Sequence, residues 1–341
     1  MTAPTMTGPH TAGGPGDALG RVARSTTTYV AAAVLVLVLV FAVATGGNFL
    51  SITNLQSVGR NSAGLILLAV GLAYVLGAGH IDLSVGATLV LASVVSAKTT
   101  VALTAGGGDP AMAAVVGALL GVAAGAVVGA VNGLLVTRLR ISSFVVTLGT
   151  MGVGLGLAQV ITNGSNVAGL PQSLQLDFGI ATALGIPLPL LLAVAVTIVA
   201  AFVLSQTAVG RHALAIGSSE PGARRAGVRV ERTTIVVFVL SGALAGLAGF
   251  LDITRFGTTA LSGHETTMLQ ALSAVIIGGT SLFGGRASVV GAAVATFIPT
   301  LLLAGFVMIG VSSFYQGIAI GVVLILAVWI DRVRRPKQAP R

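Results

Sequence analysis

The chain has 341 residues, of which 55% are hydrophobic and only 8% charged, with a formal net charge of +9. A soluble domain carries about a quarter charged residues, so this is a polytopic membrane protein, and its arginines read as loop and tail anchors facing lipid headgroups rather than as a nucleic-acid surface. It has no cysteine, which excludes disulfides, thiolate catalysis and cysteine metal sites.

Residues 1–28 are rich in Pro, Gly and Thr, with Arg21 and Arg24 near their end, and read as a disordered cytoplasmic tail. Ten apolar stretches follow that are long enough to cross a bilayer, which needs about 20 residues: 29–47, 61–79, 83–102, 111–136, 143–162, 186–206, 233–252, 265–284, 287–310 and 313–330. The most polar is 265–284, which opens with Glu265 and holds Gln270 and Ser273. With an inside start, ten crossings place Arg138, Arg140, the loop 207–232 and the basic tail 332–341 in the cytoplasm, as the positive-inside rule requires. A re-entrant 265–284 would instead put the basic tail outside. The permease domain is thus 29–331, all-α, with about ten transmembrane helices and both termini in the cytoplasm.

Glycines at 117, 121, 125 and 129 line one face of the fourth span, and Gly242, Gly246 and Gly249 nearly do so in the seventh. Such stripes let helices approach closely in lipid; intramolecular packing and a substrate-path or dimer face are both open readings. A faint correspondence between 69–87 and 274–292 is too weak to establish a repeat in so Ala-, Gly- and Val-rich a chain.

Three segments interrupt the apolar pattern with chemistry. Gly77-Ala-Gly-His-Ile-Asp-Leu-Ser-Val-Gly86 breaks the helix between the second and third spans. Asp82 there is either an N-terminal cap or an acid lining a cavity at membrane depth. Asn132 precedes the turn marked by Arg138 and Arg140, with Ser142 suited to cap the next helix; Asn132 is an interhelical hydrogen-bonding residue or a substrate ligand. Ala274-Val-Ile-Ile-Gly-Gly-Thr-Ser-Leu-Phe-Gly-Gly-Arg286 forms a tight reversal on the inner side. The translocation path is assigned to Asp82, Ser84, Asn132, Thr147, Gln270 and Ser273.

The loop 207–232 carries five basic and two acidic residues. One short helix is expected within it, capped by Ser218, with Glu220 and Pro221 in its first turn and Gly227 at its stop. Ala223 and Ala226 are small enough for a docking groove, while Arg224 and Arg225 suit acids of a partner or lipid phosphates. There is no G-x-x-x-x-G-K-[ST] phosphate cradle, so if ATP drives the work another subunit binds it. No nucleophile–base pair or metal set marks an enzyme, and no cofactor is expected.

Together with Gly210-Arg211, Ala215-Ile-Gly217, Ala223-Arg224 and Gly227-Val228, these segments resemble the permease subunits of ribose-type sugar ABC importers, from about Phe49 to Asp331. The resemblance implies a homodimeric or paired ten-helix permease, similar in fold to the cobalamin-type importers. It also implies a separate ATPase docked on 207–232 through Gly210, Arg211, Gly217, Glu220, Ala223, Arg224, Arg225 and Gly227, and an extracytoplasmic sugar-binding protein on the opposite face. Ser142 stands where the family usually has Pro, Leu155-Gly156 where it has Arg-Gly, and Met268-Leu-Gln-Ala-Leu272 where it reads Glu-Leu-Asp-Ala-Ile. A stand-alone secondary transporter or channel is the alternative. It would need intramembrane ionisable groups, for which Asp82, Asp252 and Glu265 are the candidates. For a sugar, the path is expected to offer hydrogen bonds rather than charges.

Overall fold

The computed structural model describes residues 26–312 and, beyond them, residues 315, 317, 318, 321, 322 and 325. The tail 332–341 and most of the expected tails and tenth span, 1–25 and 313–330, lie outside the described residues. Twelve helices carry the described fold: α1 (Thr26–Ala44), α2 (Ile52–Gly77), α3 (Val85–Ala105), α4 (Pro110–Arg138), α5 (Ser143–Thr162), α6 (Leu188–Gln206), α7 (Ala208–Ser218), α8 (Glu220–Arg225), α9 (Val230–Phe256), α10 (His264–Ile277), α11 (Val289–Ala295) and α12 (Phe297–Met308). Eight helices are long and apolar enough to span a membrane, α11 and α12 counting together as one. The protein is therefore an all-α, multi-pass membrane protein.

Burial sorts the spans into a centre and a periphery. In the apolar window of α2, 83% of residues are buried, against 11% in α1. The centre consists of α2, α3 and α9, with α4 laid along α9. Because lipid is as apolar as a leucine side chain, the central contacts rest on close packing. A Cβ on Gly125 would strike the Gly242 carbonyl and one on Gly129 the Phe238 carbonyl, while Gly121 faces Gly246 in the same way. The glycine stripes are thus packing faces within the chain. Tyr74 pins α2 to α6 by donating its hydroxyl to the Ala200 carbonyl.

Two sequence expectations change. The segment 265–284 is not one long span: α10 ends at Ile277 and residues 278–288 are non-helical. Its 14 residues give about 21 Å of helix, short of the ~30 Å hydrocarbon core. The cause is Gly278-Gly279, where Gly279 takes φ +97° and a Cβ on Gly278 would strike the backbone of Gly291 and Ala292. The first helix also begins at Thr26, inside the segment expected as tail.

The faint correspondence between 69–87 and 274–292 acquires a structural counterpart. Each segment is a helix, a glycine-rich break and a second helix, and the two breaks touch: Gly285 donates its N–H to the Gly77 carbonyl at 3.0 Å.

Candidate functional site

The break between α2 and α3 is the first part of the site. Asp82 is buried, and its carboxylate is fully engaged. Oδ1 accepts the Ser84 N–H at 3.0 Å and the Ser84 hydroxyl at 2.6 Å. Oδ2 accepts the Ser241 hydroxyl from α9 at 3.2 Å. Asn132 of α4 donates Nδ2 to Ser84 Oγ at 2.8 Å, while its Oδ1 has no partner among the described residues. Accepting the N–H two residues on is an Asx-type turn, so Asp82 terminates the break while Ser84, not Asp82, occupies the N-cap position of α3. Its depth follows from its partner. Ser241 lies about 17 Å along an α9 that is about 40 Å long, so the break sits near mid-depth. Irregular backbone there needs satisfied polar groups, and these side chains supply them.

Two residues of α5 hold the same break from the side. Ser143 Oγ accepts the Ile81 N–H at 3.1 Å. Thr147 donates to the Ser143 carbonyl at 2.8 Å and lies 3.4 Å from the Ile81 carbonyl. Thr147 thus braces the backbone of the break. Ser273 is likewise spent within its own helix, donating to the Leu269 carbonyl at 2.7 Å. Of the six residues assigned to the path, Asp82, Ser84 and Asn132 form one cluster with Thr147 nearby. Gln270 lies elsewhere, in the wall of a cavity at the other end of the bundle.

The loop 207–232 is the second part, and it holds two helices instead of one. The first, α7, turns back sharply on α6, and only glycine fits at position 210: a Cβ would strike the Leu204 backbone. Arg211 closes the turn by donating Nη1 to the Gln206 carbonyl at 3.0 Å. The cap of α8 is Ser219, which accepts the Gly222 N–H at 3.2 Å. Ser218, expected in that role, is the last residue of α7 and donates to the Leu214 carbonyl. Gly227 does terminate α8, at φ +82°, with the Val228 N–H returning to the Ala223 carbonyl at 3.0 Å.

Charges tie α8 to the start of α9: Arg224 lies 3.1 Å from Glu220 and 2.8 Å from Glu231. Hydrogen bonds to Glu231 and Glu220 push its guanidinium above its ordinary value, so it stays charged. Ala223 is a correction, since its side chain is buried against Ile216 and Val230 of the same chain and is not free to enter a partner's groove. Arg225, Ala226 and Gly227 remain exposed.

The loop meets both helix breaks at one point. A Cβ on Gly217 would strike the Gly77 carbonyl and crowd the Gly285 nitrogen, while Gly284, at φ +85°, packs on Gly79 and Gly217. Three segments distant in sequence therefore touch backbone to backbone. A cavity of ≈740 Å³ opens beside this junction, lined by His80, Arg140, Glu220, Arg224 and Glu231 among others.

At the opposite end a second cavity, of ≈360 Å³, is enclosed by α2, α9, α10 and α12. Its wall includes Arg60, Asp252, Arg255, His264 and Gln270. Asp252 and His264 approach to 3.5 Å. This charge was not expected of a sugar path. Sequence analysis gave Arg60 and Arg255 no role, and it missed Ser241, a lone hydroxyl in an apolar run, and Ser143, the neighbour of the expected cap Ser142.

Comparison with known proteins matches residues 54–328 to the family described as branched-chain amino acid transport system / permease component. The chain is 40% identical over 291 residues to the ribose import permease protein RbsC of Bacillus subtilis, covering 84% of this chain and 86% of that protein. It is 33% identical over 288 residues to the D-allose transport system permease protein AlsC of Escherichia coli (84% and 85% covered). It is 32% identical over 360 residues to the xylose transport system permease protein XylH of the same species (88% and 90%). No solved structure matches. With most of its length matched, the chain belongs to this family of transport-system permease components, and it is similar to the ribose, allose and xylose permeases within it.

Proposed function

We propose that this protein is the membrane-spanning permease subunit of an ATP-driven importer for a monosaccharide. In this reading a separate ATPase binds the nucleotide and docks on α7 and α8. An extracytoplasmic binding protein delivers the sugar to the ≈360 Å³ cavity, and two permease subunits, identical or paired, form the pathway. Both termini lie in the cytoplasm of a cell whose cytoplasmic membrane houses the protein.

The observation that carries the reading is the contact of Gly217 with Gly77 and Gly285. A push on α7–α8 reaches both helix breaks directly, through rigid backbone. Helix breaks are where a bundle of straight helices can change shape at low cost, and the N–H groups of Ile81, Ser84 and Ser288 there already go to side chains. Sugar passage requires no covalent step: closure of the ATPases moves the loop, and the breaks convert that movement into opening of one side and closing of the other.

The test is reconstitution in proteoliposomes with a partner ATPase and a sugar-binding protein. ATP hydrolysis stimulated by loaded binding protein, with sugar uptake dependent on ATP, is the expected result. Uptake that persists without ATP would replace the importer with a stand-alone transporter or channel. Labelling at positions 175 and 260 from outside and at 222 and 338 from inside tests the orientation; a position 338 labelled from outside would refute it.

A further inference from the structure

The outer cavity is chemically richer than a neutral sugar requires. Its wall carries two guanidinium groups, Arg60 from α2 and Arg255 from α9, each half-buried. Both side chains line the same cavity, with Asp252 beside them in its wall. Asp252 is the single carboxylate among the described side chains of the wall, and it faces His264 at 3.5 Å. Neither Asp252 Oδ2 nor His264 Nδ1 has a hydrogen-bond partner among the described residues. The remaining polar wall consists of neutral hydroxyls and amides, among them Asn61, Ser262, Thr267 and Gln270.

Two like charges in a partly dehydrated cavity repel one another and raise the local positive potential. A guanidinium is a planar fork of donors that matches a carboxylate in two parallel hydrogen bonds, and such charge-assisted pairs are the strong ones. The cavity, at ≈360 Å³, is within the range of small-molecule sites. Hydroxyl and amide groups around a pair of arginines fit one ligand class: a polyhydroxylated carboxylate.

We propose that the outer cavity receives a sugar acid, its carboxylate held between Arg60 and Arg255 and its hydroxyls met by the neutral polar wall. This inference rests on the permease reading and narrows its substrate from monosaccharides in general to their carboxylated derivatives. A neutral sugar would fill the hydroxyl sites and offer the arginines no carboxylate of its own.

The experiment uses the full chain in lipid nanodiscs and two probes of matched carbon skeleton, radiolabelled D-ribonate and D-ribose. Ribonate is expected to bind about tenfold more tightly than ribose, and raised ionic strength should weaken ribonate alone. Arg60→Gln should remove most of the preference for ribonate over ribose, and Arg60→Lys should restore part of it. Arg255→Gln should act in the same direction, and Arg60→Gln provides the independent measurement if that variant does not fold. Equal binding of the two probes, or ribonate binding unaffected by Arg60→Gln, overturns the proposal. In the reconstituted importer, ATP-driven uptake of ribose with none of ribonate also overturns it and leaves the importer intact. Failure of ATP to drive uptake of either probe counts against the importer, and the nanodisc measurement still decides the sugar acid.

Discussion

The two ends of the bundle are built on opposite plans. At the inner end, Gly77, Gly79, Gly217, Gly284 and Gly285 bring three backbones into contact with no room for a side chain. At the outer end, α2, α9 and α10 stand apart around a ≈360 Å³ cavity whose wall is charged and polar. Close-packed backbone transmits displacement, because interiors at this density cannot absorb strain by local compression. An open polar cavity does the reverse: it admits a solute and tolerates small changes of shape. Under the proposed function, the difference separates the part of the molecule that is moved from the part that selects.

The largest predicted effect comes from putting a side chain where the inner plan forbids one. Gly217→Val forces atoms into the Gly77 carbonyl, and overpacking of this kind costs about 1–3 kcal/mol or more. ATP-coupled uptake should be abolished, whether by loss of monodisperse protein or by uncoupling. Gly64→Ala provides the contrast at the outer cavity, where the nearest atom to an added Cβ is 3.9 Å away; its uptake and thermal stability should match the parent. If Gly217→Val transported normally, the inner junction would not be the rigid link.

Next in size is Asp82, which joins the two plans at mid-depth. Asp82→Ala leaves the Ser84 N–H and the Ser84 and Ser241 hydroxyls without their acceptor, and each unsatisfied buried group costs about 1–3 kcal/mol. A large fall in melting temperature is expected. Asp82→Asn keeps an acceptor for Ser84 and can donate to Ser241 Oγ, so most stability and transport should survive. An Asn variant that folds but does not transport would show that the charge itself lines the path, against the role its three hydrogen bonds describe.

How far these features were legible in the sequence depends on their range. The cap-and-stop chemistry of α8 is local, so Gly227 was found and Ser219 missed by a single residue. The glycine stripes have helical spacing, so their packing role was visible as one of two readings. The meeting of Gly77, Gly217 and Gly285 left no signal, because a contact between glycines far apart in the chain has neither period nor composition. Ala223 misled for a related reason: a small residue suits a partner's groove and its own chain's core equally well, and only Ile216 and Val230 decide between them. In 265–284, hydropathy registers apolar content rather than helicity, and Gly278-Gly279 ended the helix inside an apolar run. The outer cavity was not legible, because Arg60 and Arg255 lie far apart in the chain and only the fold brings them to one space.

Gly227→Val gives an intermediate effect that sharpens the comparison, because it loosens the moved part without touching the junction itself. A β-branched residue held at φ +82° costs about 1–2 kcal/mol. The cost falls on α8 and not on the bundle, so global melting should shift little. Co-purification of the ATPase and coupled uptake should both fall. If uptake were unchanged, α8 would be dispensable for coupling and the force would have to enter through α7 alone.

The smallest expected effect is at Arg224. Its pairs with Glu220 and Glu231 bridge α8 to α9, but all three side chains are about half exposed and fully open to salt. Exposed pairs of this kind orient more than they stabilise. Arg224→Gln should therefore leave the melting temperature unchanged at any ionic strength. What it should alter is the salt dependence of coupled ATP hydrolysis, because losing the Arg224 charge makes the docking face one charge more negative and disfavours an acidic partner. A melting temperature that drops in Arg224→Gln at low salt and recovers at high salt would mean instead that the freed glutamates repel one another, placing the ion-pair network among the elements that hold the inner end together.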